Sequence, residues 1–165
     1  MNRTELKQEI LKLLQHNARI SNHEIGERLE ITPDESRELI AEMEKDRVII
    51  GYHTFVNEDV LPERKVLAII EVHVTPERDG GFDRFAKKVS KFPEVRSVYL
   101  VSGQYDLRVE VIGKTLEEVA TFVSSKLASM EGVQSTATHF MLKKYKEAGF
   151  VLEKDEAYER LKVIP

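Results

Sequence analysis

Two helix starts, separated by a two-residue break, govern how the beginning of this chain can fold. Ser21-Asn22-His23-Glu24 sets a hydroxyl three residues before a glutamate. The Ser21 oxygen can accept from the Glu24 amide while the carboxylate reaches back to the start of the helix. Ile25 and Leu29 then recur at helical spacing. After Glu30-Ile31 the pattern repeats as Thr32-Pro33-Asp34-Glu35, a second capping box. Its proline takes the first helical position, where a missing N–H costs nothing. Leu39, Ile40 and Met43 give this helix a stripe to bury, and Leu6, Ile10, Leu13 and Leu14 predict an earlier amphipathic helix over residues 4–15. Three short helices with a tight turn between the last two predict a helix-turn-helix, its motif at about residues 21–41.

The run Val48-Ile49-Ile50-Gly51-Tyr52-His53-Thr54-Phe55-Val56 is β-branched and aromatic, and predicts a strand. Residues 57–65, with Pro62 among charged side chains, predict a linker, so residues 1–56 form a first domain. A regular order follows. Residues 66–74 are strand-like, and Asp79-Gly80-Gly81 is a turn opening a helix with Phe82, Phe85, Ala86 and Val89 on one face. Residues 95–101 and 105–112 are strands on either side of Ser102-Gly103-Gln104. Thr115 caps a helix carrying Leu116, Val119, Ala120, Val123 and Leu127; Gly132 ends it, and residues 133–142 form the last strand. The order β-α-β-β-α-β is the split ferredoxin-like arrangement, an α+β fold, over residues 66–148. Both helices cover one face of the sheet, so the other face requires a partner, and dimerisation through it is expected. Residues 149–165 are a short charged extension.

Composition narrows the function. No cysteine is present, which removes disulfides and thiolate metal sites and agrees with a reducing cytoplasm. No apolar run approaches the ~20 residues of a membrane span, and the charged N-terminus lacks an apolar leader core. A cytoplasmic protein is expected. His16, His23, His53, His73 and His139 are scattered without metal-ligand spacing. The carboxylates lie on helix faces typical of solvated surface, and Ser102 has no nucleophile-elbow context. Neither an enzyme nor a bound metal or cofactor is expected. The net charge is −4, and residues 1–60 hold 8 Lys+Arg against 13 Asp+Glu. Because phosphate neutralisation supplies most non-specific DNA affinity, that acidic half weighs against DNA binding.

Ser102-Gly103-Gln104-Tyr105-Asp106 admits two readings. As a hairpin turn it uses Gly103 for a positive φ. That accounts for the glycine but not for an aspartate at a strand start, where aspartate is depleted. As a ligand site it offers Asp106 to an ammonium and the turn amides to a carboxylate, the two ends of an amino acid.

Taken together, these segments resemble the leucine-responsive regulator/AsnC (Lrp/AsnC) family of prokaryotic transcription regulators. The resemblance rests on Ala18-Arg19-Ile20-Ser21-Asn22, Glu24-Ile25, Leu29, Ile31-Thr32-Pro33, Met43-Glu44 and Val48-Ile49-Ile50-Gly51-Tyr52 in the first half. In the second it rests on Leu100 through Asp106, Glu131-Gly132-Val133 and Thr136-Ala137-Thr138. It covers roughly residues 4–148. The resemblance implies a winged-helix-like DNA-binding domain joined by a linker strand to a βαββαβ effector-binding and oligomerisation domain. It implies dimers formed through the sheet, often assembled into tetramers or octamers, and amino acids bound between dimers. Carried over by position, the effector residues are Gly103, Gln104, Tyr105, Asp106, Leu116 and His139, with Phe140 and Met141 beside the last. His139 departs from the aromatic or aliphatic residue usual there, which leaves a more polar amino acid than leucine, or none, open.

The third helix departs further. Ile31 to Lys45 holds five carboxylates and two basic residues. Where the family usually has arginines, around Leu39 and Glu42, this chain is apolar and acidic, and Arg47 stands where a glycine is usual. On a helical wheel the arc opposite Leu39, Ile40 and Met43 carries Asp34, Arg37, Glu38, Ala41 and Lys45, with Glu35 and Glu42 on one flank. Arg37 is the leading base-contact candidate. Ser36, Arg19, Arg28, Lys45 and Arg47 complete the DNA-contacting set, the last four as phosphate contacts. The leading reading is therefore a regulator of double-stranded DNA gated by a small effector, an amino acid. The alternative is a small-molecule-sensing or protein-interaction module with weakened or lost DNA binding.

Overall fold

The computed structural model describes residues 1–56, 61–76 and 80–152, and the chain divides into two compact units, Met1–Val56 and Asn57–Pro165. Asp79, part of the linker and most of the C-terminal extension lie outside the described residues.

The first unit holds α1 (Arg3–His16), α2 (Asn22–Leu29) and α3 (Pro33–Lys45). Each starts at a residue whose side chain accepts from the amide three positions on: Asn2 from Glu5, Ser21 from Glu24, Thr32 from Glu35. The full reciprocal box forms at α1, where the Asn2 amide also donates to the Glu5 carboxylate (3.0 Å). At α2 the Glu24 carboxylate accepts instead from Arg28 (2.6 Å). Leu6, Ile10, Ile25, Leu39 and Met43 form the buried core, and each such side chain contributes roughly 1.5–3 kcal/mol relative to exposure. The turn from α2 to α3 is tight because Gly26 lets the chain return across it. A Cβ there would lie 2.7 Å from the Ile31 carbonyl oxygen.

The segment over 48–56 is not the strand its sequence predicts. Val48 and Ile49 form a bend, and residues 50–56 are irregular. Ile49 packs against the helical core while Ile50 is 83% exposed. β-propensity favours an extended chain, but a strand forms only where a neighbour takes its N–H and C=O groups.

The second unit holds β1 (Val66–Val74), α4 (Asp83–Val89), β2 (Val95–Leu100), β3 (Leu107–Gly113), α5 (Leu116–Phe122) and β4 (Val133–Phe140). The sheet order is β2-β3-β1-β4 and every pairing is antiparallel. This is the ferredoxin-like split arrangement. Ala68, Ile70, Val72 and Val74 of β1 and Leu107, Val109 and Val111 of β3 alternate into one face. There they share a core with Phe85 and Val89 of α4 and Val119 and Phe122 of α5. A π-helical turn, Val123–Leu127, continues α5 and buries both of its ends.

The other face carries Leu67, Ile69, Glu71 and His73 of β1 and Arg108, Glu110 and Ile112 of β3, all half-exposed. Past β4 the chain forms a hairpin of β5 (Lys146–Glu147) and β6 (Phe150–Val151). Its two turn residues, Ala148 and Gly149, have φ of 45° and 91°, as a two-residue hairpin turn with matching twist demands. The sequence pattern predicts only a charged extension from residue 149 on, and this hairpin is an addition to it.

Candidate DNA-contacting and effector sites

On α3 the exposed arc carries Asp34, Arg37, Glu38, Ala41 and Lys45. Arg37 donates from Nη1 to Asp34 Oδ1 at 2.6 Å, one turn back along the helix. Glu42 does not add to this arc as a free acid. Lys7 Nζ (3.0 Å) and the Arg3 guanidinium, both on α1, engage its two carboxylate oxygens. Hydrogen bonds from Lys7 and then Arg3 hold the Glu42 carboxyl below its ordinary value. Tyr52 donates its hydroxyl to Glu44 Oε1 (2.8 Å), and burial, followed by that carboxylate, pushes the phenol up. The helix is therefore less acidic toward a ligand than its sequence by one carboxylate, Glu42, which cations of α1 engage; the Tyr52 hydroxyl binds Glu44 without adding charge.

Ser36 corrects the expected DNA-contacting set. It is fully buried, and its Oγ donates to Asn22 Oδ1 (3.2 Å), tying α3 to α2. At 100° per residue Ser36 falls on the face of Leu39, Ile40 and Met43, so the wheel itself already sets it apart from the outward arc. Arg19 lies exposed in the α1–α2 turn, Arg28 is exposed on α2, and Lys45 and Arg47 are exposed at the end of α3.

In the second unit a shallow cavity of about 270 Å³ opens on the uncovered face, lined by Ile69, Glu71, Tyr105, Arg108 and His139. Polar groups meet around it: Arg108 Nη2 donates to Glu110 Oε1 (3.0 Å), and His139 Nε2 lies 3.6 Å from Glu71 Oε2. The Arg108 guanidinium also sits 5.9 Å from the Tyr99 ring centre. Tyr105 and His139 are thus brought together.

The other expected effector residues are placed differently. Leu116 is 57% exposed at the first turn of α5, beyond the far end of β3 from residues 103–106. Seven residues of strand separate those ends by about 20 Å. Gln104 is exposed.

The positive φ expected at Gly103 is not found, and Asp106 has a structural bond beside the ligand role expected of it. Gly103 is not among the glycines with positive φ, and an added Cβ would meet nothing within 4 Å. A connection running from Val101 to Asp106, closed by Val101 N donating to Asp106 O (2.9 Å), spreads the reversal over several residues. No single position has to be left-handed. Asp106 holds the backbone. Its Oδ2 accepts from the Val74 amide (2.9 Å), beside the irregularity where β1 leaves register with β4. That bond occupies one of the carboxylate oxygens assigned from sequence to an ammonium.

A family model described as the Lrp/AsnC ligand binding domain matches residues 67–150, and one described as a winged helix-turn-helix DNA-binding domain matches residues 3–50. The chain belongs to the Lrp/AsnC family. An HTH-type transcriptional regulator of Bacillus subtilis, YugG, is 42% identical over 166 residues, covering 100% of both proteins. The leucine-responsive regulatory protein of Haemophilus influenzae is 26% identical over 145 residues, 88% of this chain and 87% of that protein. Among solved structures, a transcriptional regulator of Neisseria meningitidis in complex with L-Met superposes with a TM-score of 0.66 at 27% identity. It covers 89% of this chain and 93% of its own. This Lrp/AsnC chain is a DNA-binding transcriptional regulator.

The Arg47 position, usually glycine in the Lrp/AsnC family, has φ of 56°. Val48 N donates to Met43 O (2.8 Å) and Arg47 N to Glu44 O (3.1 Å), the paired bonds of a Schellman stop. Glycine takes that left-handed conformation without strain, and arginine does not. Sequence reasoning also missed Gly26, Arg3 and Lys7. A glycine inside an otherwise helical pattern was a signal for the first. The two cations reach Glu42 only through the packing of α1 on α3.

Proposed function

We propose that this regulator works as a homodimer joined through the open sheet face, and that a free amino acid, held where copies meet, sets its affinity for double-stranded DNA. The observation carrying this reading is the face itself. It sets Leu67, Ile69 and Ile112 around an ion pair already made within the chain, Arg108 with Glu110, and around Glu71 with the His139 ring beside it. Burying such a face against a second copy strands fewer charges than burying single ones.

The separation of Leu116 from the 103–106 loop supports an effector site completed by more than one copy, and the L-Met bound by the Neisseria relative supports an amino acid. Tetramers or octamers would follow from the same contacts. Arg37 would contact a base, and Arg19, Arg28, Lys45 and Arg47 phosphates. The mechanism is linkage, in which the effector favours the assembly that presents helix-turn-helix pairs at one spacing. The reading includes no catalytic step.

The second reading, a sensing module with little DNA binding, draws on the exposed Asp34 and Glu38 of α3. Titrating the protein against duplex from upstream of its own gene at low and moderate salt decides between them. Binding that weakens with salt supports the regulator. Its absence at both salts, with the oligomer intact, leaves the sensing module. Sedimentation of the protein tests the dimer, which a monomer at all concentrations refutes. A calorimetric screen of the amino acids tests the effector.

A further inference from the structure

We infer that Asp34 is a positioning residue that sets Arg37 to read a guanine in the major groove; the inference rests on the base-contacting role proposed for Arg37. The pair is formed in the free protein, Arg37 Nη1 to Asp34 Oδ1 at 2.6 Å, with both side chains largely exposed. Engaging Nη1 turns the Nε–Nη2 edge away from the carboxylate. That edge presents two parallel donors, the arrangement that guanine O6 and N7 accept together.

The backbone under the pair is fixed. Pro33 occupies the first turn of α3, Thr32 accepts from the Glu35 amide (3.1 Å), and buried Ser36, next to Arg37, is bonded to α2. An arginine drawn toward one rotamer by such a pair loses less freedom on binding, an advantage of up to about tenfold in affinity. Asp34 and Arg37 together carry no net charge, so the aspartate approaches the phosphates as part of a neutral pair. Arg37 is also the only cation in the first two turns of α3.

A simpler role for Asp34, as an anion at the positive end of the helix dipole, makes the opposite prediction. Removing a carboxylate that faces phosphates and does nothing else strengthens binding to every sequence alike. The test is selection from a random duplex library with the full-length wild-type protein, followed by affinities for the selected duplex, for the same duplex with its preferred guanines replaced by 7-deazaguanine, and for an unrelated duplex. These are measured for wild type, Asp34→Ala, Asp34→Asn and Arg37→Ala, with thermal melts confirming that each is folded.

The wild type is expected to select a motif with a fixed G·C pair and to lose about fivefold or more on the 7-deazaguanine duplex. Asp34→Ala is expected to weaken binding to the selected duplex about two- to tenfold. Its affinity for the unrelated duplex should hold or rise, Asp34→Asn should fall between, and Arg37→Ala should lose the guanine preference. If Asp34→Ala raises affinity for selected and unrelated duplexes by the same factor and keeps the guanine preference, the positioning role is wrong while DNA reading stands. If the wild type selects no motif, the base-contacting role fails and the inference fails with it.

Discussion

The connection between α2 and α3 and the connection between β2 and β3 each involve a glycine, under different constraints. At Gly26 the chain folds back so closely that a Cβ would press on the Ile31 carbonyl at 2.7 Å. At Gly103 an added Cβ would touch nothing, and the backbone does not need a positive φ. The fold of the first unit dictates its glycine; the fold of the second leaves its glycine unexplained and puts the constraint on Asp106 instead. A residue that the packing of one chain does not require is the kind that a ligand or a second copy can require, and the proposed effector site lies at that loop.

Substitutions at the two connections, and at the left-handed Arg47 after α3, would break or sharpen this contrast. Gly26→Ala is expected to have the largest effect. Forcing a methyl against a backbone carbonyl destabilises the helix-turn-helix by about 1–3 kcal/mol, read by denaturant unfolding, and DNA affinity should fall with it. Asp106→Ala should cost about 1–2 kcal/mol by leaving the Val74 amide without its acceptor, whereas Asp106→Asn, which keeps an acceptor, should retain most of that stability. Equal losses in both variants would show that the carboxylate charge, rather than the bond, matters. Arg47→Gly should stabilise the first unit by about 0.5–1 kcal/mol by relieving the left-handed arginine, while weakening DNA binding if Arg47 contacts a phosphate. Smallest of all, Gly103→Ala should change stability by less than about 0.5 kcal/mol yet alter the calorimetric response to amino acids. A large loss of stability there would remove the contrast.

Much of the fold is legible in the sequence. Ser21, Thr32 and Pro33 act over three or four residues, so the hydroxyl halves of the two expected capping boxes form, while the returning glutamate bond forms at neither. The alternation of Leu107, Val109 and Val111 settles which side of β3 is buried. The strand expected at 48–56 fails because apolar character cannot supply a ladder partner. The burial of Ser36 was legible too, since it lies three, four and seven residues before Leu39, Ile40 and Met43 and shares their face; only its bond to Asn22 depends on the neighbouring helix. The bond made by Asp106 is hidden because its partner, the Val74 amide, lies 32 residues away.

Periodicity and caps therefore determine the elements, their order and the helix-turn-helix, since each depends on contacts within one or two turns. Packing settles which acids of α3 remain available to DNA. Lys7 and Arg3 engage Glu42 and Tyr52 engages Glu44, while Asp34 is joined to Arg37 on the exposed arc. The sequence counts five carboxylates in that helix and its lead-in. Charge is additive along a chain, but the field a ligand meets depends on which charges the fold has already brought together.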